Sequence, residues 1–190
     1  THVTFRHLLN HRSGLPAWRP YYKDILQIER HGGRINFLGS PGAKAHVYQA
    51  IQRERLEAPP GTRALYTNLG FMLLGAVIEE VSGMGLDRFC HERIFRPLGL
   101  RATGFDLSLL RTRRLEPVTE MIAPTERCPW RKKLLCGEVH DDNAYAMGGV
   151  SGHAGLFASA KDLDTLLCRL KDCYHNRSQM IPQRIIRQFW

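Results

Sequence analysis

Tyr66 and Asn68 stand two residues apart in "ALYTNLGF", directly ahead of a strongly apolar run. A phenol and a carboxamide at that spacing can do acyl-transfer chemistry. The head of a helix presents unpaired N–H groups and the positive end of the helix dipole, which favour a nearby anion. A phenol placed there gives up its proton more readily, above all beside a lysine. Tyr66 would then act as a base, while the Asn68 amide offers a substrate amide both a donor and an acceptor. The same residues also fit an ordinary helix start, in which Thr67 or Asn68 accepts helix N–H groups and Tyr66 packs. Spacing alone leaves both open.

Other polar groupings promise less. His140, Asp141, Asp142 and His153 have the side-chain types of metal ligands, but no HxxxH pair on a helix and no cysteine partner accompanies them. They are expected to be hydrogen-bonded turn residues, and neither a metal nor another cofactor is expected. His153-Ala154-Gly155 and His31-Gly32-Gly33 both fit the string H-x-G, which is too short to assign either. "GSPGAK" lacks the spacing and the preceding strand of a phosphate-binding loop. The five cysteines at 90, 128, 136, 168 and 173 form an odd set without CxxC spacing, so free thiols are expected.

The elements that must position Tyr66 and Asn68 are mostly helical. In "TFRHLLNHRSGLP" Thr4 is a plausible N-cap, Phe5, Leu8 and Leu9 share a face, and Gly14 with Pro16 ends the helix. "YYKDILQIERHGG" and "AKAHVYQAIQRERLEA" read as two helices separated by "LGSPGAK". Pro59, Pro60 and Gly61 suit a type II turn. The following helix, Leu69 to Val81, is apolar nearly all round, which predicts burial inside the core; Ser82 and Gly83 break it. "GLDRFCHERIFRPLGL" predicts an amphipathic helix ending before Pro97. From "RATGFD" to "RKKLLCGEVHDDNAY" the pattern is irregular, with room for one or two short strands. Ser159 can cap "AKDLDTLLCRLKD", whose Leu163, Leu166, Leu167 and Leu170 share a face, and a last helix starts at Pro182.

At 190 residues and 43% hydrophobic content the chain can form one compact domain, 1–190. Its formal charge of +9 comes from scattered residues without a nucleic-acid reading motif, so no nucleic-acid partner is expected. No apolar run reaches the length of a membrane span, and the start "THVTFRHLLNHRSG" is unlike a signal peptide. The absent initiator methionine and the abrupt ends are expected of a piece of a larger protein.

"FRHLLNHRSGLP", "PPGTRALYTNLGFMLLGAVIEEVSG", "FCHERIFRPLGL" followed by "TGF", and "VHDDNAYAMGGVSGHAGLFASAKDLDTLL" together resemble the serine β-lactamase and penicillin-binding-protein superfamily, specifically its class C β-lactamase-like and esterase-like branch. The matches keep the family's order from Thr4 to about Leu170. The resemblance implies a mainly α chain: the helical region of the α/β, transpeptidase-like β-lactamase fold, with few short strands and most of the antiparallel sheet missing. It implies that Tyr66-Thr67-Asn68 is the family's Y-x-N motif, with Tyr66 assisting proton transfer and Asn68 holding the substrate or a lysine. It also makes His140, Asn143 and His153 candidates for the cleft wall.

One departure is decisive for function. No serine is followed three residues later by lysine: Ser159 to Lys161 is too short, and Ser40 to Lys44 too long. The family's S-x-x-K is therefore expected upstream of Thr1, and the isolated chain is expected to be inactive. The expected substrate of the complete protein is a β-lactam, a peptidoglycan peptide or a small ester. The competing expectation is a non-catalytic module that binds peptidoglycan or a protein. The resemblance implies a periplasmic or cell-envelope setting, and a face lacking its sheet invites self-association.

Overall fold

The computed structural model describes residues 2–31, 36–105 and 122–189. Helices dominate: α1 (Phe5–Leu9), α2 (Tyr21–His31), α3 (Pro41–Gln52) and α4 (Asn68–Ser82), then α5 (Leu86–Cys90), a π-helical turn (His91–Phe95) and α6 (Arg96–Leu98). After these come β1 (Arg127–Cys128), β2 (Lys133–Leu134), α7 (Asp142–Ala146), α8 (Ala160–Tyr174) and α9 (Gln183–Ile186). β1 and β2 form an antiparallel pair with Arg127 opposite Leu134 and Cys128 opposite Lys133. Isolated bridges join Gly104 to Phe157 and Ser151 to Ala154.

Local signals explain most helix starts. Thr4 and Ser159 cap α1 and α8 through their hydroxyls. Ser40 caps α3 in the same way, with Pro41 in its first turn, so part of the expected "LGSPGAK" connection is helical. The Pro59–Gly61 turn forms as expected: Thr62 N–H donates to Pro59 O at 3.2 Å, and Gly61 takes φ +85°.

Three expectations fail for physical reasons. α1 stops at Leu9 rather than near Gly14, because the chain turns at His11 with φ +54°. α3 ends at Gln52 instead of running to Ala58, because Glu57 N–H is drawn to Gly14 O at 2.7 Å. The segment through Pro97 does not stop before it: the π-helical turn precedes Pro97, and the helix ends at Gly99 with φ +71°.

The core joins Leu8, Leu15, Tyr21, Ile25, Val47, Ile51, Leu69 and Met72, from α1 to α4, with Ala146 and Met147 at the end of α7. α4 packs on α1, α3 and α5. Its expected complete burial is not observed: Leu69, Gly70, Met72 and Gly75 are buried, whereas Val81 is 82% exposed. Glu79 ties three helices together. Its carboxylate pairs with Lys44 of α3 and accepts the Leu86 N–H that starts α5 at 3.0 Å. On α8, Leu163 and Leu167 are exposed. No disulfide joins any of the five cysteines. No single helix among the described residues is long and apolar enough to cross a membrane.

α4 also receives the glycine-rich loop at near-contact backbone distance. A Cβ on Gly152 would fall 2.1 Å from Phe71 O, a backbone atom that cannot swing aside. Gly152→Ala should therefore cost about 3 kcal/mol in urea unfolding. Gly83→Ala, at the φ +66° end of α4 with open space around it, should cost only about 1 kcal/mol. Equal costs would contradict the close approach.

Candidate active site

The segment leading into α4 is extended, with Thr67 at φ −134° and ψ 126°. Side chains alternate in extended backbone, so Tyr66 is exposed and Asn68 half-buried while Thr67 between them is buried. Thr67 sits at the N-cap position but does not cap; its hydroxyl donates to Pro16 O at 2.6 Å. An ordinary side-chain helix cap is thus absent here, and the pair is left free of capping duty.

The loop from His11 to Ala17 holds this segment by its carbonyls. His11 O accepts Leu65 N–H at 2.8 Å, Arg12 O accepts Gly61 N–H at 2.8 Å and Ala17 O accepts Asn68 N–H at 3.0 Å. Gly14 makes the approach feasible: it takes φ +81°, and a Cβ there would lie 2.0 Å from Ala58 O. His11 Nδ1 accepts Thr67 N–H at 3.1 Å. The imidazole also lies 4.5 Å from the Tyr66 ring and 5.0 Å from the Phe71 ring, centroid to centroid. His11 is the site residue that sequence pattern did not single out. Its only signal is a place in "NHRSG", where a left-handed turn precedes a glycine.

Tyr66 is 71% exposed. Neither its hydroxyl nor the Asn68 side-chain amide has a protein hydrogen-bond partner among the described residues, so both can meet a substrate or residues of another segment.

The other candidates sit in a separate polar cluster. Asn143 is buried; its Oδ1 accepts Tyr22 N–H at 2.9 Å and its Nδ2 donates to Arg19 O at 2.8 Å, fixing the start of α2. His153, whose side chain is 3% exposed, bonds Asp141 Oδ1 through Nε2 at 2.9 Å and Ser151 Oγ through Nδ1 at 2.8 Å. His140 is exposed and pairs with Glu126 at 3.1 Å. Arg131 binds this loop together, donating to Val139 O, His140 O, Glu138 and Asp142 while its guanidinium lies 4.4 Å from the Tyr145 ring centroid. No group of three or more metal-ligating side chains converges among the described residues.

An open cleft of about 390 Å³ lies nearby, lined by Leu38, Phe105, Val139, Tyr145, Phe157 and glycines. His140, Asn143 and His153 do not line it. They are not hydrogen-bonded to Tyr66 or Asn68 either; the two regions meet through backbone, at Gly152 and Phe71.

Asp141 is held as a carboxylate by several bonds. Burial pushes its carboxyl upward, but the bonds from His153 and from the Ala144 and Asn143 N–H groups outweigh this and hold it below the usual carboxylate range. A folded pKa below the unfolded value of about 3.9 contributes stability that is complete above about pH 5 and lost as pH falls through the folded value. Asp141→Asn keeps an acceptor for the start of α7 and removes the charge. It should lower stability by about 1–3 kcal/mol at pH 7, with the gap to the unsubstituted protein closing below about pH 4. Urea melts between neutral and acid pH check this; a gap independent of pH would refute it.

The Beta-lactamase family model matches residues 1–188. A protein named a D-alanyl-D-alanine carboxypeptidase from Escherichia coli (strain K12) is 41% identical over 168 residues, covering 84% of this chain and 36% of that protein. One of the same name from Salmonella paratyphi B is 34% identical, over 84% of this chain and 37% of its own length. The chain thus spans little more than a third of these relatives. Among solved structures, the octameric penicillin-binding protein homologue from Pyrococcus abyssi superposes with TM-score 0.62 and 24% identity, over 97% of this chain and 37% of that one. The D-amino acid amidase from Ochrobactrum anthropi SV3 gives TM-score 0.57 and 20% identity, over 96% and 46%. The shared fold is that of β-lactamase-like proteins, of which this chain carries a largely helical portion.

Proposed function

Because the chain belongs to the Beta-lactamase family, we propose that it contributes Tyr66 and Asn68 to the acyl-transfer site of a serine hydrolase acting on peptides that end in D-alanine. The observation that carries this reading is the pair itself: an exposed phenol and a half-buried carboxamide at the head of α4, with no protein hydrogen-bond partner for either side chain among the described residues. The carboxypeptidase names of the relatives favour a peptide over a β-lactam or an ester as the first substrate to try.

In the proposed reaction a serine Oγ attacks the peptide carbonyl, and its proton passes to Tyr66, aided by a lysine. The Asn68 amide holds the substrate amide through one donor and one acceptor. Tyr66 then returns the proton to the departing amine, and water releases the acyl group from the serine. No Ser-x-x-Lys occurs in the 190 residues, so this chain by itself does not form the covalent intermediate.

The purified 190-residue chain should turn over neither a D-alanyl-D-alanine peptide, nitrocefin nor a nitrophenyl ester. A longer protein carrying Ser-x-x-Lys ahead of Thr1 should cleave the peptide. Tyr66→Phe in it should lower kcat by about 10²- to 10⁴-fold. Turnover by the short chain that disappears in Tyr66→Phe would sink the assignment. A longer protein without Ser-x-x-Lys that binds the peptide unchanged would establish the binding module instead.

The exposed Leu163 and Leu167 of α8 support self-association of the chain. Sedimentation velocity should show mass rising with concentration, and Leu163→Glu with Leu167→Glu should suppress the rise. A monomer at every concentration would count against it.

A further inference from the structure

We infer that His11 is the positioning residue of the Tyr66–Asn68 pair, clamping the chain on both sides of the phenol and seating the phenol against its own ring. The inference rests on the proposed catalytic reading of Tyr66.

Two bonds bracket Tyr66. His11 O accepts the N–H of Leu65 at 2.8 Å, and His11 Nδ1 accepts the N–H of Thr67 at 3.1 Å. A main-chain acceptor and a side-chain acceptor of one residue thus hold the residues before and after the tyrosine. The second bond requires Nδ1 to be unprotonated, so a neutral imidazole carries its proton on Nε2. The ring then fills the space between Tyr66 and the first turn of α4, 4.5 Å from one aromatic ring and 5.0 Å from the other.

Two further features separate this arrangement from ordinary packing. Tyr66 is 71% exposed, so the clamp orders a side chain that contributes little to the core. His11 adopts φ +54°, a left-handed conformation that residues with a side chain take only at a cost. The left-handed turn is part of the geometry in which both acceptors of His11 reach residues 65 and 67. An aromatic residue without a ring nitrogen could stack but not hold Thr67. Asparagine could supply an acceptor and tolerate the backbone, but not stack.

Nitrogen-correlated NMR of the 190-residue chain tests the clamp directly. The expected result is an unprotonated His11 Nδ1 in the neutral protein and a slowly exchanging Thr67 amide. His11→Phe should speed Thr67 exchange by about tenfold or more while leaving α3 amides unchanged, with His11→Asn in between. A proton on Nδ1, or Thr67 exchange unaltered in His11→Phe, overturns the inference; should His11→Phe not fold, the tautomer of the unsubstituted chain decides.

In a longer protein that completes the motifs, His11→Phe should lower kcat about 100-fold with KM changed less than about twofold, and His11→Asn should recover part of the loss. Unchanged kcat in His11→Phe, where turnover depends on Tyr66, also overturns it. Turnover indifferent to Tyr66→Phe defeats the catalytic reading alone, and the Thr67 exchange still decides the clamp.

Discussion

The carbonyl row of the loop from His11 to Ala17 is the constraint on which the candidate site depends. Backbone acceptors at His11, Arg12, Gly14 and Ala17 receive N–H groups from Leu65, Gly61, Glu57 and Asn68, while Pro16 receives the Thr67 hydroxyl. The Thr67 hydroxyl and the Pro16 carbonyl are buried, and there an unmade bond costs about 1–3 kcal/mol. The loop therefore has one good solution, with Gly14 pressed against Ala58. That solution fixes where α4 begins and which way Tyr66 and Asn68 face. Leu15 within this loop and Leu69 beside Asn68 both belong to the buried core.

The polar loop around Arg131 follows a different logic. A guanidinium almost wholly removed from water is stacked near Trp130 and Tyr145 and bonded to two carbonyls and two carboxylates. Arginine suits this because its donors are spread in a rigid plane. The result is a stiff bend in front of α7, from which Asn143 reaches across to the start of α2. His153 and Asp141 extend the same network, so the residues that look most like chemistry in "VHDDNAY" are occupied in holding backbone and one another.

Legibility in the sequence divides along these lines. Signals confined to a few neighbouring residues were sufficient where nothing competed: Thr4, Ser159, the Pro60-Gly61 turn and the Gly83 stop all act within one turn of chain. Partnerships across the chain overrode them elsewhere. α3 stops early because Glu57 is needed by Gly14, some forty residues away in sequence. Helix continues past Pro97 because a π-helical turn precedes the proline, a possibility that periodicity at 3.6 residues does not contain. The Tyr66–Asn68 pair stood out through its resemblance to the Y-x-N motif, since spacing alone left a helix cap equally open. His11 was not, since its meaning comes only from a contact with Thr67.

Thr67 divides the site mechanically as well as geometrically. Asn68 belongs to the first turn of a helix rooted in the core, whereas Tyr66 belongs to a strand-like lead-in tied down by hydrogen bonds at the surface. The amide is therefore anchored through the helix, and the phenol through the hydrogen bonds of its neighbours. Whatever loosens the lead-in would shift the proposed proton-transfer group more than the proposed substrate-holding group, so reach and grip would be tuned separately although only one residue lies between them.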